Sequence, residues 1–441
     1  MRALNTQLSR WLLGASIYLT GWYYEGPALQ AAQMGAISLL LMAAFFSVLS
    51  GDTLRVRISL VEWVFGTAFL FAMLVAWFTG NVLSSLYGAM LLLVLVGMSM
   101  LVRHRTAGEL IVVFRWAYVA LVASVALLEH QDLLASLTGS VEYGLGLVRY
   151  QPLGMHPNLS GLVYGGGALL FFQRFLAAPR SLQKAFALGM VGLCLCVLLA
   201  ASARAGMFAL AVAGATGVIL IALRGSARSR MSLVLAVIAA LAFVVFKWAD
   251  IKTYLTLILD LESPTRGVES GATGRTDIWR AGIELIFSDA LRMLTGTGIR
   301  SALPELIGFP VESSYINLAL EHGLVFGPLI LLTFVVTACR ALTHGLRPGH
   351  ARYQLFLAGL MVVFILAQSI FNRYLIGVGN PYSLWIFVLV LQLNLHPIAI
   401  ARQATQTLRQ PEFRQRARGP LAPGRETFSH LTPRQEPTMG A

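Results

Sequence analysis

Arg204, Arg275 and Glu312 are the residues whose types and surroundings suit the handling of a charged substrate. Arg204 stands in AASARAGMFAL, a very short turn between two strongly apolar stretches. An arginine there is costly unless something pairs with it. It either snorkels or joins a salt bridge, or it clamps an anion, because a guanidinium makes bidentate contacts to phosphate oxygens. Arg275 follows the glycine-containing run Gly271-Ala-Thr-Gly274 and precedes an expected helix with Thr276 or Asp277 as its N-cap. Ile278, Trp279, Ile283, Leu285 and Ile286 suit a helix lying on a membrane interface. A helix start beside an arginine favours phosphate; the plainer alternative is a solvated loop arginine near an interfacial Trp. Glu312 precedes Ser313, Ser314 and Tyr315 at the mouth of an apolar helix. A carboxylate there can take a proton from an attacking hydroxyl, or simply complement the helix dipole.

Further polar residues are expected on the same face. His156 and Asn158 open another apolar stretch in QPLGMHPNLSG; Asn158 reads first as a helix cap and second as a substrate contact. Arg149, Arg300 and Arg373 add positive charge. Glu321 and His322 lie deeper and suit helix packing as well as participation. GATGRT lacks the GxxxxGK[ST] pattern of a nucleotide P-loop, and HExxH, GxSxG and Cys/His clusters are missing from the sequence. No metal or cofactor is expected. Cys194, Cys196 and Cys339 lie in or beside apolar stretches, without the ligand pattern of a zinc site.

The elements that must position these residues are membrane helices. The 441 residues are 57% hydrophobic and 12% charged, with mean hydropathy +0.72; a soluble domain carries about 25% charged residues. The net charge of +13 is not a nucleic-acid signature, because Lys and Arg fall between apolar windows on alternate sides, as orientation signals do. Windows of about 20 apolar residues occur at 9–24, 30–49, 60–78, 83–102, 108–128, 156–176, 183–202, 205–223, 229–248, 313–338, 353–376 and 382–400. The first reads as a short membrane helix rather than a cleavable signal, because Tyr23, Tyr24 and Glu25 follow it. With the N-terminus cytoplasmic, most of the 33 basic residues fall inside, and the turns at 25–29 and 79–82 have none. The expected architecture is all-α and polytopic, with about twelve transmembrane helices and both termini cytoplasmic. Residues 1–401 form the membrane domain with one large extracytoplasmic loop at 250–312; residues 402–441, rich in Gln, Arg and Pro, read as a disordered basic tail.

Three pieces, in order, resemble the O-antigen polymerase/O-antigen ligase superfamily of bacterial envelope glycan transferases. They are SAR (Ser202 to Arg204), GRTDIW (Gly274 to Trp279) followed by GTG (Gly296 to Gly298), and ESSYINLALEHGLVFG (Glu312 to Gly327). HPN (His156 to Asn158) is similar to the family's Pro-Asn helix start. The resemblance implies a metal-independent, inverting glycosyltransferase with a GT-C-like fold in the inner membrane. Its donor is a glycan on undecaprenyl diphosphate, used at the periplasmic face. Arg204 and Arg275 would hold the donor diphosphate, and Glu312 would deprotonate the acceptor hydroxyl. His156, Asn158, Trp279, Arg300, Ser313 and Tyr315 would line the substrate. The acceptor is a lipid-linked repeat unit for a polymerase, or lipid A-core or a protein hydroxyl for a ligase. A chain-length regulator or flippase is the expected accessory partner. The family's ligases carry His where Glu312 stands, so the carboxylate favours polymerisation. A transporter is the reading from another class; it would spread charge through the bundle and show repeat symmetry.

Overall fold

The computed structural model describes residues 2–22, 26–50, 58–105, 107–138, 142–143, 146–147, 150–224, 275–300, 311–346, 352–376 and 380–395, with scattered positions between 227 and 252. These residues are helical apart from turns and one two-residue antiparallel pair, Glu142–Tyr143 with Gly146–Leu147. The helices are α1 (Arg2–Thr20), α2 (Gly26–Ser50), α3 (Leu60–Phe78), α4 (Val82–His104), α5 (Ala107–Leu128), α6 (His130–Thr138), α7 (Pro157–Ala177), α8 (Ser181–Ala200) and α9 (Arg204–Arg224). After the segment around residue 250 come α10 (Arg275–Phe287), α11 (Ala290–Thr295), α12 (Ser314–Gly345), α13 (Arg352–Gln368) and α14 (Pro381–Leu395).

Eight of these helices are long and apolar enough to cross a membrane: α2 to α5, α7 to α9, and α12. Large apolar side chains such as Trp63, Phe78 and Trp116 remain exposed on them, as expected of helices that face lipid. The four other expected windows fare differently. The 9–24 window belongs to α1, which starts at Arg2 and carries Asn5, Gln7 and Arg10 on its first half. It falls outside the eight. The 229–248 window lies mostly outside the described residues. The last two windows correspond to α13 and α14, which have only 17 and 15 residues. Helix α13 stops at Gln368 rather than 376, because the carbonyls of Ser369 and Asn372 turn to accept the Ser314 N–H at 2.9 and 2.8 Å. The described part of α14 ends two residues before Pro397, which cannot donate an interior helical hydrogen bond.

In apolar surroundings helices associate through close packing and polar ties rather than water exclusion, and both occur here. Ser9 and Ser16 of α1 donate to Ala43 O and Ala36 O of α2 at 2.8 and 2.7 Å. Helices α7 and α9 meet at Gly161 and Gly206, where a Cβ on Gly206 would lie 2.7 Å from Gly161 O. That contact holds the starts of α7 and α9 side by side. The starts of these two helices carry Asn158 and Arg204.

Candidate functional site

Glu312 lies two residues before α12, and the turn after α13 holds that helix start. Ser314 donates its Oγ to Asn372 O at 2.7 Å and accepts the Leu375 N–H at 3.2 Å. Tyr315 donates its hydroxyl to Leu366 O at 2.7 Å. Ser313, the N-cap, is buried, and its carbonyl accepts the Asn317 N–H at 2.9 Å. The mouth of α12 is therefore tied on several sides, and Glu312 projects from a fixed base.

Two side chains reach the Glu312 carboxylate. Arg275 Nη2 donates to Oε2 at 2.6 Å, with the two side chains 19% and 34% exposed. Asn158 Nδ2 donates to the same Oε2 at 3.2 Å. Among the described residues Oε1 has no hydrogen-bond partner, so one oxygen of a half-open carboxylate is left to accept a proton. The single Arg275 contact also uses one of five guanidinium donors.

Asn158 does not cap α7 as expected. Pro157 lacks an N–H, so the first free donor is that of Asn158, and His156 Nδ1 accepts it at 3.3 Å. His156 is the cap, and the Asn158 side chain is released toward Glu312. Helix α10 also starts earlier than expected: Thr276 and Asp277 lie inside its first turn, and Asp277 faces Arg280 at 3.8 Å on the exposed side.

Phe371 joins the two arginine-bearing helices. It meets Phe208 of α9 edge to face at 5.5 Å and Trp279 of α10 at 6.2 Å. Arg204 precedes Phe208 by four residues, and Arg275 precedes Trp279 by four. Residues four apart share a helix face, so both arginines flank the turn that carries Phe371. Arg204 is half-buried at the first position of α9.

The GTG and EHG motifs form one joint. Gly323 interrupts α12 with φ 70° and ψ 175°, and a Cβ there would lie 2.1 Å from Leu294 O. Only glycine fits that conformation and that approach. A break inside an apolar helix frees carbonyls that must be satisfied locally. Thr297 N–H donates to Leu320 O at 2.7 Å and Gly298 N–H to Glu321 O at 3.2 Å. Gly296, at φ 73°, lets this segment close on the break.

The joint also places Arg300, whose N–H donates to Glu321 Oε1 at 2.9 Å and whose guanidinium sits 4.7 Å from the centre of the Tyr87 ring. Glu321 is buried, near the Asn317 side chain. His322 packs on Phe69 at 5.9 Å near the Ala68 backbone, and its buried Nδ1 has no hydrogen-bond partner among the described residues. These two therefore serve as internal ties of the broken helix. Arg373 is exposed, beside Tyr374. Arg149, Gly271 to Gly274 and most of 250–274 lie outside the described residues.

Sequence reasoning missed Phe371, Asn372 and Gln368, whose Nε2 donates to Asn158 O at 3.3 Å. The available signal was the polar run Gln368-Ser369 and Asn372 at the end of an apolar stretch. Arg204, Arg275, Arg300 and Arg373 lie at this end of the bundle with Glu312 and Glu321, as do the acidic residues Glu129, Asp277, Glu284 and Asp289. Such a site can hold an anion beside a carboxylate oxygen able to receive a proton. No protein-family model matches the chain, and no curated protein sequence matches it.

Proposed function

We propose that the protein is a metal-independent inverting glycosyltransferase that polymerises undecaprenyl-diphosphate-linked repeat units into O-antigen or exopolysaccharide. In this reading the membrane domain has twelve spans, both termini are cytoplasmic, and the 250–312 loop lies on the periplasmic side of the inner membrane. The observation that carries the proposal is the Glu312 carboxylate, with Oε2 bound by Arg275 and Asn158 and Oε1 without a partner among the described residues.

The acceptor hydroxyl attacks the anomeric carbon of the donor sugar. The new C–O bond forms as the bond from that carbon to the diphosphate oxygen breaks, and its electron pair leaves with the lipid diphosphate. Glu312 Oε1 takes the hydroxyl proton, while Asn158 and Arg275 hold the carboxylate in place. Arg275 touches Glu312 through Nη2 alone, so its remaining N–H groups can hold a phosphate oxygen beside the base. Arg204, across Phe371, supports the same diphosphate as its charge develops. Trp279 and His156 flank the sugars, and Arg300 extends the cationic rim. The carboxylate at position 312 favours a lipid-linked repeat unit as acceptor over lipid A-core.

The test is polysaccharide size in a strain lacking the gene, complemented with wild type, Glu312→Gln, Arg204→Ala or Arg275→Ala. The expected result is loss of high-mass polymer and accumulation of single lipid-linked repeat units, at normal protein abundance. Long lipid-linked polymer that fails only to reach its acceptor would make the protein a ligase. A normal profile in the deletion strain would remove the transferase reading and leave transport.

A further inference from the structure

At the opposite end of the bundle, one guanidinium is buried with no carboxylate in ion-pair contact among the described residues. Ser84, near the start of α4, donates its hydroxyl to Ile299 O beside Arg300; Arg105 caps the other end of the same helix. At the rise of an α-helix, the stretch of α4 between Ser84 and Arg105 separates them by about 32 Å. Arg105 is only 8% exposed. Its Nη2 donates to Ser50 Oγ at 3.1 Å, and its Nε is buried with no hydrogen-bond partner.

The nearby carboxylates are already engaged. Glu62 binds Arg103 at 2.6 Å, and Glu109 binds Arg10 at 2.7 Å. Arg10, Arg103 and Arg105 therefore face two glutamates, and His104, with Nε2 buried and unpartnered, adds a further nitrogen. Burial lowers the Arg105 pKa; Glu109 opposes that shift and Arg10 adds to it.

A desolvated cation whose nearest carboxylate is already ion-paired to another arginine is costly to bury. Here it sits at the end of membrane-length helices, where head groups stand, and a guanidinium matches phosphate oxygens in fork geometry. We propose that Arg105, with Ser50 beside it, forms a binding site for the phosphate of an anionic lipid head group, independent of the glycan site at the other end.

The test uses the purified full-length chain. Native mass spectrometry of wild type against equimolar phosphatidylglycerol and phosphatidylcholine should show preferential phosphatidylglycerol adducts. Phosphatidylglycerol should raise the melting temperature of wild type by several degrees, and this rise should be absent in Arg105→Gln and partial in Arg105→Lys. An equal rise with millimolar inorganic phosphate, lost in Arg105→Gln, would keep the phosphate site but assign it a soluble ligand. Equal adducts of both lipids on wild type would overturn the proposal, even if Arg105→Gln does not fold. The proposal also falls if Asp52→Asn destabilises as much as Arg105→Gln while both variants respond to phosphatidylglycerol as wild type does; the counter-ion would then be internal.

Discussion

Two arginine–glutamate pairs, one at each end of the bundle, have the same 2.6 Å separation and different surroundings. Glu62 is sealed: Oε1 binds Arg103, Oε2 accepts the Ser59 N–H at 2.6 Å, and the side chain is 5% exposed. Ser59 returns the contact by accepting the Glu62 N–H, which completes a capping box at the start of α3. Among the described residues, Glu312 receives both of its donors on Oε2, and 34% of its side chain is exposed. One carboxylate therefore has both oxygens occupied and stabilises a helix start; the other has one oxygen without a partner among the described residues. The difference lies in which oxygen the donors choose, not in residue type or pair distance.

The largest expected effect falls on activity at the open pair. On the proposed transferase reading, Glu312→Gln keeps the shape and loses the proton acceptor, so kcat/KM for transfer from a synthetic lipid-diphosphate donor should fall about 100- to 10,000-fold, with the melting temperature little changed. Activity within a few fold of wild type would reduce Glu312 to a helix-start charge and erase the contrast. At the sealed pair the effect should invert. Glu62→Gln leaves the Arg103 guanidinium without its counter-charge and should cost about 3 kcal/mol of stability, while activity per folded molecule stays near wild type. Detergent-based unfolding and a specific-activity assay together check this. The smallest effect belongs to the neutral donor: Asn158→Ala removes one hydrogen bond to a charged group and should cost about 1.5 kcal/mol, roughly tenfold in kcat/KM. A loss equal to that of Glu312→Gln would mean that Asn158 does more than orient the carboxylate.

Composition and window length were enough to read a helical chain with membrane-length apolar segments, because apolar runs of that length have few other uses. The polar stretches were also legible as places where chemistry gathers: GTG, ESSY and EHG stand out in an apolar background. Their relations were not legible. GTG and EHG are some 25 residues apart and carry no mutual signal, yet they close one break because Gly296 and Gly323 both take positive φ and approach each other's backbone. Asn158 looked like a cap because local preference favours Asn at helix starts; Pro157 shifted the capping role to His156.

The sequence by itself determined the class of element and the candidate polar residues, since hydropathy and residue type are local properties. Only the tertiary structure decided that Arg275 and Asn158, 37 and 154 positions from Glu312, meet on one oxygen. It also decided that Phe371 sets the helices of Arg204 and Arg275 on either side of one turn, and that Arg105 is buried with no ion-paired carboxylate among the described residues. Pairing across such separations depends on how whole helices pack and where they break, which no window of sequence encodes.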